Sequence, residues 1–272
     1  MVFSIAFKRK RGKRERVRPR FLVLRRRWLA LGAAGLAAAA IFTAVNYPAA
    51  VSASVATRQL PIYCVERDQK MCSISFDAAW GADNTQKILD VLREYGVTCT
   101  FFVVGNWADQ YPEQAKAIVD SGHELQNHSN AHDHYNSLTA DQIIADANAC
   151  SDKIEALTGA RPTLIRCPFG EYDDHVISAL RSMGMEPIQW DVDSLDWKGI
   201  SAAEITKRVT AKVGSGSIVL FHNAGEHTPE ALPDILDYLL AEGYDIVPIS
   251  KLLLSETCYI DHTGRQCRGS GA

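Results

Sequence analysis

From Met71 onward, short apolar runs alternate with stretches whose apolar residues recur every three or four positions. Met71-Cys72-Ser73-Ile74-Ser75-Phe76 reads as a buried strand, and Ile88, Leu89, Leu92 and Tyr95 then recur at helical spacing until Gly96. Cys99 to Val104 is β-branched and aromatic, the composition of a strand. Thr139 with Gln142 forms a capping box for a long helix with the stripe Ile143, Ala147, Cys150, Ile154 and Leu157, closed near Gly159. Ser201 with Glu204 opens a second, carrying Ile205, Val209 and Val213. Pro229 to Glu242 reads as a further helix and Asp245-Ile246-Val247-Pro248 as the last strand. Short connections between about six or seven strand–helix units predict an α/β fold, a distorted or incomplete (β/α) barrel.

The chain begins differently. Lys8 to Arg27 holds twelve Lys/Arg and one acid, Glu15, within a net charge of −3, so the rest carries 17 Lys/Arg against 31 Asp/Glu. Trp28 to Val45 is uncharged, apolar and just long enough to cross a hydrocarbon core of ~20 residues. The basic excess before it places that side in the cytoplasm and the remainder outside. This predicts a single-pass membrane protein with an extracellular C-terminal domain. The alternative is secretion after signal cleavage at Ser54-Val55-Ala56 or Val51-Ser52-Ala53. With the basic arm beside a membrane segment, neither nucleic acid nor a nucleotide cofactor is expected. The domains read as a basic cytoplasmic arm 1–27, an anchor or signal 28–45, a linker 46–60, the main domain 61–255 and a tail 256–272.

Export permits disulfides. Cys64 and Cys72 are symmetric about Asp68 in a predicted hairpin, and Cys258 and Cys267 flank the turn Asp261-His262-Thr263-Gly264. Both pairs are expected to bridge, the second as a staple for a tail poor in apolar residues. Cys99, Cys150 and Cys167 fall at core positions.

Five polar clusters follow directly on strand-like runs. They are Asp77; His128 and His132; Arg166; Asp191, Asp193 and Asp196; and His222. In alternating folds, functional residues gather where strands end. Each has a bland reading as well: Asp77 as a helix cap, His128 and His132 as surface histidines, Arg166 as a salt bridge, and His222 as a satisfied strand-end residue. Two imidazoles four apart can face one way from a helical turn and chelate a divalent ion. Arg166, beside the rigid turn Pro168-Phe169-Gly170, is suited to grip a carboxylate with two hydrogen bonds. Asn127-His128-Ser129 fits the glycosylation pattern, but a strand end is poorly exposed.

Ser75-Phe76-Asp77, His128-Ser129-x-x-His132, Arg166-x-Pro168-Phe169-Gly170, Asp193-x-x-Asp196-Trp197 and Leu220-x-His222 resemble, in order, the five motifs of the polysaccharide deacetylases (carbohydrate esterase family 4, the NodB-type domain). The resemblance covers about residues 71–255. It implies a distorted (β/α) barrel that removes acetyl groups from N-acetylated amino sugars of a cell-wall polysaccharide, peptidoglycan first among them. Ser-Phe-Asp-Ala-Ala-Trp-Gly looks most like the sporulation-associated, membrane-anchored branch.

The resemblance also implies roles. His128 and His132 hold a divalent metal, zinc by expectation, and Asp77 is the base, oriented by Arg166. His222 is the acid, supported by Asp193 or Asp196, and Trp80, Phe169, Trp197 and Leu220 meet the sugar. One departure stands out: most members carry two adjacent Asp in the first motif, the second a metal ligand, and here that position is Ala78. Asp83 is the nearest replacement carboxylate. The departure keeps two other readings open, a catalytically weak or inactive wall-binding protein and a structural envelope protein.

Overall fold

The architecture, taken from a computed structural model, describes residues 58–269 together with Leu36. The basic arm, the predicted membrane segment (Leu36 apart) and the linker up to residue 57 lie outside the described residues. Among the described residues no helix is long and apolar enough to cross a membrane.

Strand β1 is Cys64–Val65 and β2 is Met71–Ala78. Helix α1 (Thr85–Glu94) leads to β3 (Thr100–Val103), and α2 (Gly105–Gln110) and α3 (Pro112–Asp120) lead to β4 (Glu124–Asn127). Helix α4 (Ala140–Thr158) precedes β5 (Leu164–Ile165), and α5 (Asp174–Ser182) precedes β6 (Glu186–Pro187) and β7 (Val192–Asp193). Then come α6 (Ala202–Thr210), β8 (Ile218–His222), α7 (Thr228–Ala241), β9 (Asp245–Ile246) and α8 (Ile249–Leu252). Strands β10 (Cys258–Ile260) and β11 (Arg265–Arg268) follow α8. Thr139 and Ser201 both form the predicted capping boxes, each worth ~1 kcal/mol.

The main sheet runs β6-β5-β4-β3-β2-β8-β7, with parallel pairings throughout. Only four residues separate β6 from β7, so one bent stretch pairs first with β5 and then with β8. That shared stretch curls the sheet into a distorted barrel. The N-terminal segment fills the remaining gap: Ile62 bridges Ile188, and Cys64 bridges Ser217.

Along β2 the side chains alternate. Cys72, Ile74, Phe76 and Ala78 join the apolar cluster formed with α1 and α7, where each fully buried large side chain contributes ~1.5–3 kcal/mol. Ser73, Ser75 and Asp77 take the other face, toward the barrel interior. The polar positions of a wholly buried strand therefore mark the site.

The two expected disulfides are absent, whereas Cys99, Cys150 and Cys167 are buried free thiols as expected. Strand β1 pairs with β11, not β2, so the predicted hairpin does not form, and Cys72 is buried in the core. Cys258 lies opposite Arg268, and Tyr259 opposite Cys267. The ladder therefore sends the two sulfurs of the expected staple to opposite faces. All seven cysteines are free thiols. The tail is held instead by pairing β11 between β1 and β10, and by buried Gln266, whose Oε1 accepts from the Leu254 N–H at 2.8 Å. Arg67 adds hydrogen bonds to the Leu252 and Leu253 carbonyls, each 2.9 Å.

Candidate active site

Asp77 and Arg166 form a buried ion pair at the ends of β2 and β5. Nη1 of Arg166 donates to Oδ1 of Asp77 at 2.7 Å, and Nη2 donates to Ser75 Oγ (3.0 Å) and the Gln189 carbonyl (3.1 Å). The guanidinium therefore grips the carboxylate with one hydrogen bond, not two, because its second arm is spent on the barrel wall. It also lies over the Phe102 ring at 4.2 Å. Burial alone would raise the Asp77 pKa, but Arg166, then His128 and His222, overcome it and hold the carboxyl below its ordinary value.

His128 and His132 follow β4, but not on a helical turn. Ser129 (φ 70°) and His132 (φ 59°) both adopt left-handed backbone, which costs a non-glycine residue of order 1 kcal/mol or more. The neighbourhood fixes this loop. Asn127 Oδ1 accepts from the Ser129 N–H (2.7 Å), Ser129 Oγ from the His132 N–H (2.9 Å), and Asp146 on α4 from the Asn130 N–H (2.8 Å). Lys153 donates to Asn130 Oδ1 at 2.7 Å. Asn127 is fully buried, which removes it as a glycosylation site.

The Arg166 carbonyl, 2.7 Å from His128 Nδ1, can only accept, so Nδ1 carries the proton and Nε2 presents a lone pair. Burial holds His128 below its ordinary pKa and brings His132, also lowered by His128, down to about 4. Both rings are neutral near pH 7.

On the neighbouring strand, Asp196 holds His222 twice: Oδ2 accepts from its backbone N–H and Oδ1 pairs with Nδ1, each at 2.8 Å. Thr228 adds a hydrogen bond of 2.6 Å to the same Oδ2. Burial would lower the His222 pKa, but Asp196, with Asp77 and Asp193, raises it. Asp193 makes no hydrogen bond to His222; its Oδ1 caps the Leu195 N–H (2.8 Å) while its edge lines the cavity. Asp191 accepts from Ser217 and Ile218 at the opening of β8 and stands apart from the site.

A cavity of about 620 Å³ joins these groups, lined by Asp77, His132, Asp193 and His222 with Trp80, Phe169, Trp190, Trp197 and Leu220. Trp80 and Trp197 are 61% and 59% exposed, free to meet a ligand. Phe169 is 50% exposed and lines the same cavity. His134 stacks on its ring at 4.1 Å and 11°, and His132 meets it edge-on at 4.5 Å. Trp190, Gln189, Thr228 and the His134–Glu171 pair (2.9 Å) escaped the sequence reading, since only the fold brings them to the site.

Ala78 is fully buried in the core cluster, on the strand face opposite Asp77, and supplies no ligand. Asp83 is exposed and does not line the cavity. Among the described residues, no three His, Cys, Asp or Glu side chains are already gathered round one point. The donors nonetheless suit a divalent ion: a neutral imidazole aims Nε2 at Asp77 Oδ2 from 3.6 Å, and His132 Nδ1 is buried without a partner.

The family model described as polysaccharide deacetylase matches residues 65–188. Peptidoglycan-N-acetylmuramic acid deacetylase PdaC of Bacillus subtilis is 34% identical over 69% of this chain, which spans only 40% of PdaC's length. PdaA of the same organism, bearing the same activity in its name, is 30% identical over 71% of this chain and 75% of its own. A solved structure from Bacillus anthracis, described as a CE4 family pseudoenzyme, superposes with a TM-score of 0.69 at 31% identity, covering 77% of this chain and 73% of that one.

Proposed function

Because this chain belongs to the polysaccharide deacetylase family, we propose that it hydrolyses the acetamide of N-acetylated amino sugars in a cell-wall polysaccharide, most directly peptidoglycan. The carrying observation is that an ionised Asp77 and a carboxylate-backed His222 stand side by side on adjacent strands, facing one aromatic-walled cavity. Asp77, oriented by Arg166, takes a proton from the attacking water. His222, its pKa raised by Asp196, gives a proton to the departing amine, so acetate and a free amino sugar leave. Trp80, Trp197 and Leu220 offer apolar surface to the sugar, and Asp193 lies beside them.

His128 and His132 would hold a divalent ion, zinc by their chemistry. When bound it supplies Lewis-acid polarisation of the acetamide and a more acidic water. Acetate release from peptidoglycan by the purified chain, with zinc, with cobalt and after chelation, tests the reading. No release under any of these conditions would sink it.

Ala78 favours a second reading, a wall-polysaccharide-binding protein with weak or no turnover. Retention on insoluble peptidoglycan without acetate release is its signature. The basic arm and apolar run support a single-pass anchor with the domain outside the cell, or a cleaved signal; protease added to intact, wall-stripped cells should digest the domain. The form of the first motif supports the sporulation-associated branch. Expression confined to vegetative growth would count against that placement.

A further inference from the structure

We propose that Asp77 is itself a metal ligand in this chain: its free oxygen Oδ2 and His128 Nε2 clasp the ion between them, and the carboxylate is thereby drawn away from its work as a base. The proposal rests on the metal-dependent reading above and deepens it.

Asp77 Oδ1 is committed to Arg166 at 2.7 Å, which leaves Oδ2 as the only uncommitted oxygen. That oxygen faces His128 Nε2 at 3.6 Å. The Arg166 carbonyl fixes the proton of His128 on Nδ1, so two lone pairs face each other. A separation of 3.6 Å is too long for a hydrogen bond. Two ligands each ~2.0–2.2 Å from one tetrahedral ion lie roughly 3.3–3.6 Å apart, so the spacing suits a cation held by both.

Burial sharpens the point. Asp77 and His128 are both buried, and facing acceptors in such a site repel unless something positive joins them. His128 is also oriented in the usual manner of a metal-binding histidine, with its far nitrogen on a backbone carbonyl.

His132 completes the set by a turn of its ring. Its Nδ1 is buried without a partner, which disfavours the present orientation, and its ring centroid is 5.0 Å from that of His128. Position 78 contributes nothing, since its methyl lies across the strand in the core. One carboxylate must then serve both the ion and the water. An oxygen bound to a cation is a weaker base, so slow turnover follows from the same geometry.

Titration calorimetry with zinc on the full chain decides this without any activity measurement. Asp77→Asn keeps the size of the side chain and an acceptor for Arg166, and should bind zinc at least about tenfold more weakly than wild type. His128→Ala should lose binding as well. If Asp77→Asn binds as tightly as wild type while His128→Ala does not, the inference fails and the metal reading stands. If both variants bind as wild type does, the metal reading itself fails. Should Asp77→Asn not fold, infrared difference spectra of wild type carrying carboxyl-¹³C aspartate replace it. Label-sensitive carboxylate bands must change when zinc is added, and their constancy would overturn the inference.

Discussion

Asp77 and His222 are direct register partners at the ends of the parallel strands β2 and β8. Neighbouring strands stand ~4.8 Å apart, so a carboxylate and an imidazole are presented to the cavity from one edge. Arg166 braces the first and Asp196 the second, each from another strand end or loop. The site is thus two braced pairs whose spacing is fixed by the sheet.

Arg166→Met should destabilise the domain by ~3–5 kcal/mol, because it leaves Asp77 as an unpaired buried charge. The lowered Asp77 pKa sets the sign with pH. Its pairing contributes stability above the ordinary carboxylate pKa, and that contribution is lost as pH falls through the lowered folded value. The deficit of the variant should therefore be largest near neutrality and shrink in acid, where Asp77 can protonate. Urea unfolding of both proteins from pH 3 to 7 measures it; a deficit independent of pH would exclude the ion pair as its source.

Much of this was legible in the sequence because the signals are local. The strand-like runs that end in Asp77 and His222 marked strand ends, and Thr139 with Gln142 announced a helix start that the structure keeps. What escaped depends on distant partners. The pairing of residues 186–193 first with β5 and then with β8 follows from closing a barrel, and no periodicity records it. Strand β11 beside β1 joins segments some 200 residues apart, which is why Cys64 was assigned the wrong neighbour. Likewise the stacking of His134 on one face of Phe169 is a contact that no local signal records.

The tail should stand without a bridge. Cys258→Ser is expected to change stability by no more than ~0.5 kcal/mol, since Cys258 is an exposed free thiol and serine keeps an acceptor for Gln266 Nε2. Gln266→Ala should cost ~1–3 kcal/mol by stranding the buried Leu254 N–H. Thermal melts compare the two. A Cys258–Cys267 peptide recovered without reductant would overturn this account of the tail.

Ala78→Asp tests what the missing carboxylate costs. The methyl of Ala78 is fully buried among apolar side chains, so without metal the variant should melt below wild type. If the new carboxylate turns toward the histidines at the strand end, added zinc should raise the melting temperature of the variant more than that of wild type. Equal zinc-induced shifts would show that position 78 cannot reach the ion in this barrel.

The pH behaviour of His222 separates its proposed role from a structural one. Although burial opposes it, the Asp196 carboxylate raises the His222 pKa above ~6.5, so the protonated ring persists to higher pH than a free histidine. The stability this pair contributes is complete below ~6.5 and is lost as pH rises through the raised value. Asp196→Asn removes the charge while leaving a side chain able to bond the His222 N–H, so the His222 pKa should fall. The stability deficit of the variant should be greatest in acid and fade in base, opposite in direction to that of Arg166→Met. If His222 is the acid, the alkaline limb of acetate release should move to lower pH by the same amount, with turnover reduced ~10²–10⁴-fold. An NMR titration of the His222 ring supplies the pKa independently of activity. A ring pKa that falls while the alkaline limb stays in place would assign that limb to another group and leave His222 a structural residue.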